Sequence, residues 1–131
     1  MYNSCNARET TIMNESKALQ PVSAVQITHL DEMVGGWFIG AFTPAAYSTN
    51  DVEVAVKHFP AGVVEKAHVH RIATEITLLL QGRARMADRE LKAGDIITLA
   101  PGTASAFEAL EACITVVIKH PGALNDKYFE S

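Results

Sequence analysis

A chain of 131 residues is long enough for one hydrophobic core and short for two, so a single domain is expected. With 48% apolar and 20% charged residues it reads as a globular protein rather than a disordered one. A net charge of −4, with no basic run or basic amphipathic stretch, argues against a nucleic-acid partner. The longest apolar runs, such as Ile76 to Leu80, are too short to cross a bilayer.

Residues 1–20 are polar and ungrouped, which predicts a tail or an arm that docks on a partner subunit. Only residues 11–19 within it carry a weak helix-like pattern. The stretch has no apolar centre and carries acidic residues, so it reads as neither a secretory signal nor a transit peptide. A cytoplasmic location follows by elimination, and a reducing compartment suits Cys5 and Cys113, which have no metal-type spacing. Cys113 sits in an apolar run and is expected as a small buried hydrophobe.

Residues 21–131 form the expected domain, and the pattern there is β throughout. Gly36 to Phe42 is a compact aromatic strand candidate. Asp51 to Phe59 alternates, placing Val52, Val54, Val56 and His58 on one face. Glu75 to Met86, Asp95 to Ala100 and Ala112 to His120 supply three more strands, rich in Ile, Val, Thr and Leu. Pro60 with Gly62, Gly82, Gly94-Asp95, Pro101-Gly102 and Pro121-Gly122 punctuate them. Glu108 to Ala112 has helix propensity but is read as a turn. Short strands separated by turn signals predict an all-β sandwich or barrel.

The chemistry concentrates in GVVEKAHVHRIATEITLLLQG, Gly62 to Gly82. On a strand, residues i and i+2 point the same way, about 6.6 Å apart. His68 and His70 therefore present two imidazoles to one side. Glu75 opens the next strand, with Thr77 and Leu79 as its face-mates. If both strands turn that side inward, His68, His70 and Glu75 converge as a two-His, one-carboxylate site with open coordination positions. A lone buried histidine is more often a satisfied core residue; two of them with a carboxylate on the adjoining strand raise the weight of metal binding.

This segment resembles the first signature of the cupin superfamily, with Gly62, His68, His70, Glu75 and Gly82 at its fixed positions. The stretch from Gly94 to Phe107 resembles the second signature in part. Gly94, Asp95 and Gly102 fall in register, whereas Ala100 stands at the first proline position beside Pro101. Ser105 stands where that signature has the fourth ligand, a histidine, and Ala109 where it ends in asparagine. The resemblance spans roughly residues 50–120. It implies a small antiparallel cupin β-barrel, a double-stranded jelly-roll-like sandwich, with the metal site inside. The flanking segments are also similar to small stand-alone cupins, which commonly pair as a homodimer.

Serine is a poor ligand for divalent first-row metals because its hydroxyl must lose a proton to bind well. Three readings of Ser105 stay open. The ion sits in a three-ligand site with more open positions, another residue replaces the missing histidine, or the metal is lost and the histidines do hydrogen-bonding or acid–base work. His58, His120 and His29 are the replacement candidates, each with an ordinary structural or surface role as the stronger reading.

The candidate metal ligands are thus His68, His70 and Glu75, with Glu75 also the candidate base. Thr77, Ser105, His58 and Phe107 are the candidate substrate-binding residues, Thr77 also as a partner that fixes the carboxylate. Arg83 and Arg85 share a face that could bind a carboxylate or phosphate, although a solvated face is the stronger reading. Trp37 and Tyr47 are expected as core or cavity wall, Lys57 and Lys119 as exposed.

The expected activity is metal-dependent chemistry on a small-molecule substrate chelated to Fe, Mn, Ni or Zn, of oxygenase (dioxygenase-like), isomerase or lyase type. The alternative is a small-molecule binding or sensing module without turnover. A metal-stiffened structural protein is weaker, because it would need a closed ligand set.

Overall fold

The computed structural model describes residues 24–129. The expected arm over residues 1–20, the helix-like stretch within it and Cys5 lie outside them. Ten strands follow in chain order: β1 (Trp37–Ile39), β2 (Glu53–Phe59), β3 (Val64–Val69), β4 (Thr74–Gln81), β5 (Arg83–Met86), β6 (Arg89–Lys92), β7 (Ile96–Leu99), β8 (Ser105–Ala109), β9 (Cys113–His120) and β10 (Tyr128–Phe129). They form two antiparallel sheets of five, ordered β1-β2-β9-β4-β7 and β10-β3-β8-β5-β6. The chain passes repeatedly from one sheet to the other, giving the jelly-roll sandwich expected from many short strands. Among the described residues helix is confined to a 3-10 turn at Leu30–Glu32, where the exposed His29 caps the start by accepting from the Asp31 N–H. Among the described residues no helix is long and apolar enough to cross a membrane.

Two boundaries differ from expectation. The stretch Glu75 to Met86 is not one strand: it breaks at Gly82, and β4 and β5 belong to different sheets. Gly82 has φ +94, and a Cβ there would sit 2.2 Å from the Ala112 carbonyl oxygen, so only glycine allows this crossing. Glu108 and Ala109, read as part of a turn, complete β8 instead; the turn is shorter and lies beyond them.

Strand β2 shows why alternation alone does not give a direction. Its buried positions are Glu53 and Ala55, so Val54, Val56 and His58 face outward. The outer face of the first sheet is itself apolar, with Ile76, Leu78, Val116 and Ile118 half-buried on it. Both faces of the sheet thus carry apolar side chains, and the pleat reads equally well either way.

The hydrophobic core fills one end of the sandwich. Leu79, Met86, Leu91, Leu99, Phe107 and Cys113 pack there, and the Phe107 ring lies 4.7 Å from that of Phe59. The Cys113 thiol is held by the carbonyls of Arg83 and Glu111 at 3.0 and 3.1 Å, and burial pushes it above its usual range, as suits an inert core thiol. The opposite end of the sandwich is polar inside.

Candidate metal centre

A β-bulge builds the polar end. Glu65 pairs with Phe107 and His68 with Ser105, so three steps on β3 oppose two on β8. The extra residue reverses the parity of the strand, and Glu65 and His68 both line the interior. His70 follows the end of β3, and its carbonyl accepts from the Gly102 N–H at 2.7 Å, which ties the two motif segments together. Glu75 and Thr77 occupy the inward face of β4 and are 7% and 2% exposed.

His68, His70 and Glu75 each turn a ligand atom into one space, all within 4.8 Å of one another. The imidazole rings are 4.9 Å apart and nearly perpendicular. His70 Nδ1 lies 2.6 Å from the Asp126 carbonyl and His68 Nδ1 3.2 Å from that of Lys66. A carbonyl only accepts, so both Nδ1 atoms carry a proton and both Nε2 atoms are turned to the interior. His70 Nε2 then faces Glu75 Oε1 at 3.0 Å. At that distance Nε2 either donates a proton to the carboxylate or shares a cation with it.

The residues fit a divalent ion. With bonds of about 2.1 Å, a right angle at the ion separates two donors by about 3.0 Å, the His70–Glu75 spacing observed. Carbonyl-anchored imidazoles are also the usual outer support of metal-binding histidines. The remaining carboxylate oxygen, Oε2, accepts from Thr77 Oγ1 at 2.9 Å. Burial acts to raise the Glu75 carboxyl, but the His70 and Thr77 hydrogen bonds bring it below its ordinary value, so it is ionised and ready to ligate. Burial keeps the His68 imidazole below its usual range, the Lys66 carbonyl only partly opposing it, so it is neutral at pH 7.

Ser105 lies directly across from His68, is 5% exposed and lines the same pocket, so the position of the fourth ligand points into the centre. Its hydroxyl donates only a long 3.4 Å bond to the Ala106 carbonyl. No histidine replaces it. His58, a candidate substrate-binding residue, is exposed on the outer face of β2 because that strand turns its Glu53 and Ala55 side inward. His120 is exposed at the end of β9.

Two further expectations, on the lysines and Tyr47, are corrected, and the solvated face read for Arg83 and Arg85 is observed. Lys57 and Lys119 are not solvated; both line the cavity beside the metal centre, and the Lys119 side chain is only 15% exposed. Tyr47 is 67% exposed and walls nothing inside. Arg83 and Arg85 lie on the outside, half-exposed, paired with Glu90, Glu108 and Glu111. Trp37 and Phe107 do line the cavity.

Sequence reasoning missed Asp126. Its buried carboxylate accepts from the backbone N–H groups of Arg71, Ile72 and Ala73, at 2.9 to 3.2 Å, while its carbonyl takes His70. The C-terminal segment is thereby clamped onto the β3–β4 link and orients a ligand. It also missed Glu65, Lys127 and Thr115, which share a cavity of about 100 Å³ with Trp37, Lys57 and Lys119. The bulge hides Glu65, and no local pattern announces the others.

No protein-family model matches this sequence, and no curated protein does. Solved structures do. An uncharacterised conserved protein with a double-stranded β-helix domain from Klebsiella pneumoniae is 27% identical, with TM-score 0.58 over 76% of this chain and 87% of that one. KdgF from Halomonas sp. is 24% identical, with TM-score 0.54 over 57% and 74%. Bacillus subtilis oxalate decarboxylase shares the fold at 17% identity and TM-score 0.54, over 61% of this chain but only 24% of its own. The chain thus has the double-stranded β-helix fold of these structures, and three side chains of its first motif, His68, His70 and Glu75, meet in one pocket.

Proposed function

We propose that the chain is a metal-dependent enzyme acting on a small molecule, with one divalent ion held by His68, His70 and Glu75. The observation that supports it is the facing of His70 Nε2 and Glu75 Oε1 at 3.0 Å with His68 alongside, in a pocket whose fourth protein position is a serine. Such an ion would polarise a substrate oxygen and acidify the neighbouring carbon or a water. Three protein ligands leave room for a substrate to bind through two oxygens.

The remaining work falls to residues of this chain. Glu75 has both oxygens engaged, one toward the histidine and one with Thr77, which suits a ligand better than a proton carrier. Glu65 lines the same cavity with no ion-pair or hydrogen-bond partner among the described residues, so we assign it the movement of the proton. Oxygenation, isomerisation and elimination all fit this arrangement. Lyase-type bond cleavage is the form we favour, since the fold is shared by oxalate decarboxylase with its Mn(II) centres and by a DMSP lyase from Ruegeria pomeroyi.

Metal analysis of protein purified without an affinity-column metal tests the reading. We expect Mn or Fe near one ion per chain, lost in His70→Ala with the β-fold retained by circular dichroism. Protein that holds no ion, and takes up none from Mn(II) or Fe(II), would leave the binding-module alternative. We also propose a homodimer, supported by the apolar outer face of the first sheet; sedimentation as a monomer at micromolar concentration would overturn it.

A further inference from the structure

Two lysines of the cavity, Lys57 and Lys119, make no side-chain hydrogen bond among the described residues, and their placement is specific. On the inner face of the first sheet, Lys57 of β2 pairs directly with Thr115 of β9, and Lys119 lies four residues further along β9, between Glu53 of β2 and Glu75 of β4. Lys119 Nζ meets Glu53 only at 3.8 Å and makes no hydrogen bond; Lys57 Nζ has neither an ion pair nor a hydrogen bond among the described residues. Both ammonium groups lie against the Trp37 ring, at 4.7 and 5.4 Å from its centre.

Thr115 supplies an independent observation. It is 1% exposed, lines the same cavity, and its Oγ1 has no hydrogen-bond partner. A buried hydroxyl left unpaired costs about 1–3 kcal/mol, so the position is costly unless something in the cavity bonds to it. Two ammonium groups and a hydroxyl thus face one space, and none of the three makes a side-chain hydrogen bond to a cavity carboxylate among the described residues. Glu53 is already engaged, taking the Ala123 N–H at 2.9 Å, and Glu75 serves the metal centre. Glu65 is the acidic side chain left in the cavity, on the opposite sheet.

We propose that Lys57, Thr115 and Lys119, backed by Trp37, form a carboxylate subsite, so that the substrate is a small organic anion with an oxygen function reaching the metal centre beside it. The proposal rests on the metal-dependent reading for the second half of that statement only. Burial lowers the Lys119 ammonium, with Glu53 and Glu75 opposing, as expected where an anion is to complete the pairing. The partly buried, ring-backed setting strengthens each charge-assisted bond relative to a fully exposed lysine.

Calorimetric titration with malonate and its neutral isostere malonamide, on metal-free and Mn(II)-loaded protein, tests it. Wild type should bind malonate and not malonamide in both forms, more tightly with the ion present. Lys57→Met and Lys119→Met should each weaken malonate at least tenfold with Mn(II) affinity unchanged, and Thr115→Val should weaken it severalfold. Equal malonate affinity in wild type and Lys57→Met, with Mn(II) binding intact, would overturn the subsite; that variant decides the matter should Lys119→Met fail to fold. Failure of the metal reading shows separately, as absent Mn(II) binding with malonate selectivity retained in the metal-free protein.

Discussion

His70 Nδ1 lies 2.6 Å from the backbone carbonyl of Asp126, 56 positions later in the chain. The same residue's carboxylate holds the three N–H groups of the link between β3 and β4. One aspartate near the C-terminus thus fixes both the backbone that leads to Glu75 and the tautomer of a metal-site histidine.

Asp126→Asn keeps the shape but replaces one accepting oxygen with a donor that opposes the N–H groups. We expect a stability loss of about 1.5–3 kcal/mol, the usual worth of a hydrogen bond to a charged group, read by urea unfolding. Mn(II) affinity should fall about tenfold as the segment that carries the His70-anchoring carbonyl loosens from the β3–β4 link. Burial acts to raise the Asp126 carboxyl, but its backbone donors hold it below the ordinary value. A depressed folded pKa gives stabilisation that is full above about pH 3.9 and lost as pH falls through the folded value. The gap between wild type and variant should therefore stay constant near neutrality and close in acid. A gap that persists unchanged at the lowest pH would contradict the assignment.

Thr77→Val removes the donor to Glu75 Oε2 and keeps the volume. The carboxylate then loses its orientation, and Mn(II) affinity should drop about tenfold with little change in unfolding midpoint. An unchanged affinity would mean that Thr77 only fills space.

Ser105→His places an imidazole opposite His68 in register. The ligand set becomes four, and dissociation of Mn(II) on chelator challenge should slow by an order of magnitude or more. Malonate should bind less tightly to the loaded variant, because one open position is gone. No change in dissociation would show that the new side chain cannot reach the ion.

Arg85→Ala acts as the outer-surface control. Its ion pairs with Glu90 and Glu108 are on the solvent side, where such contacts contribute about 0–1 kcal/mol. Stability should change by less than about 1 kcal/mol, and neither Mn(II) nor malonate affinity should move. A loss of malonate binding would reassign the anion subsite to this face.

Much of the architecture was legible along the chain. Short β-branched runs between Gly and Pro punctuation predicted the sandwich, and the spacing of His68, His70 and Glu75 singled out the three side chains that the fold brings within 4.8 Å. These are local features. Alternation with period two and a ligand spacing of two residues survive in any correctly formed strand, so a reader needs no knowledge of neighbours to find them.

What the chain did not disclose by itself is direction. His58 and Lys57 are adjacent in one strand, and only the packing of the first sheet against the second decides that the lysine enters the cavity and the histidine meets solvent. Glu65 is turned inward by a bulge whose existence depends on β8 opposite it. Asp126 reaches His70 from a segment with no pattern of its own. Each of these depends on which face of a sheet is buried and which strand lies alongside, and that is set by contacts between distant parts of the chain, summed over the whole fold, rather than by the order of residues within any one segment.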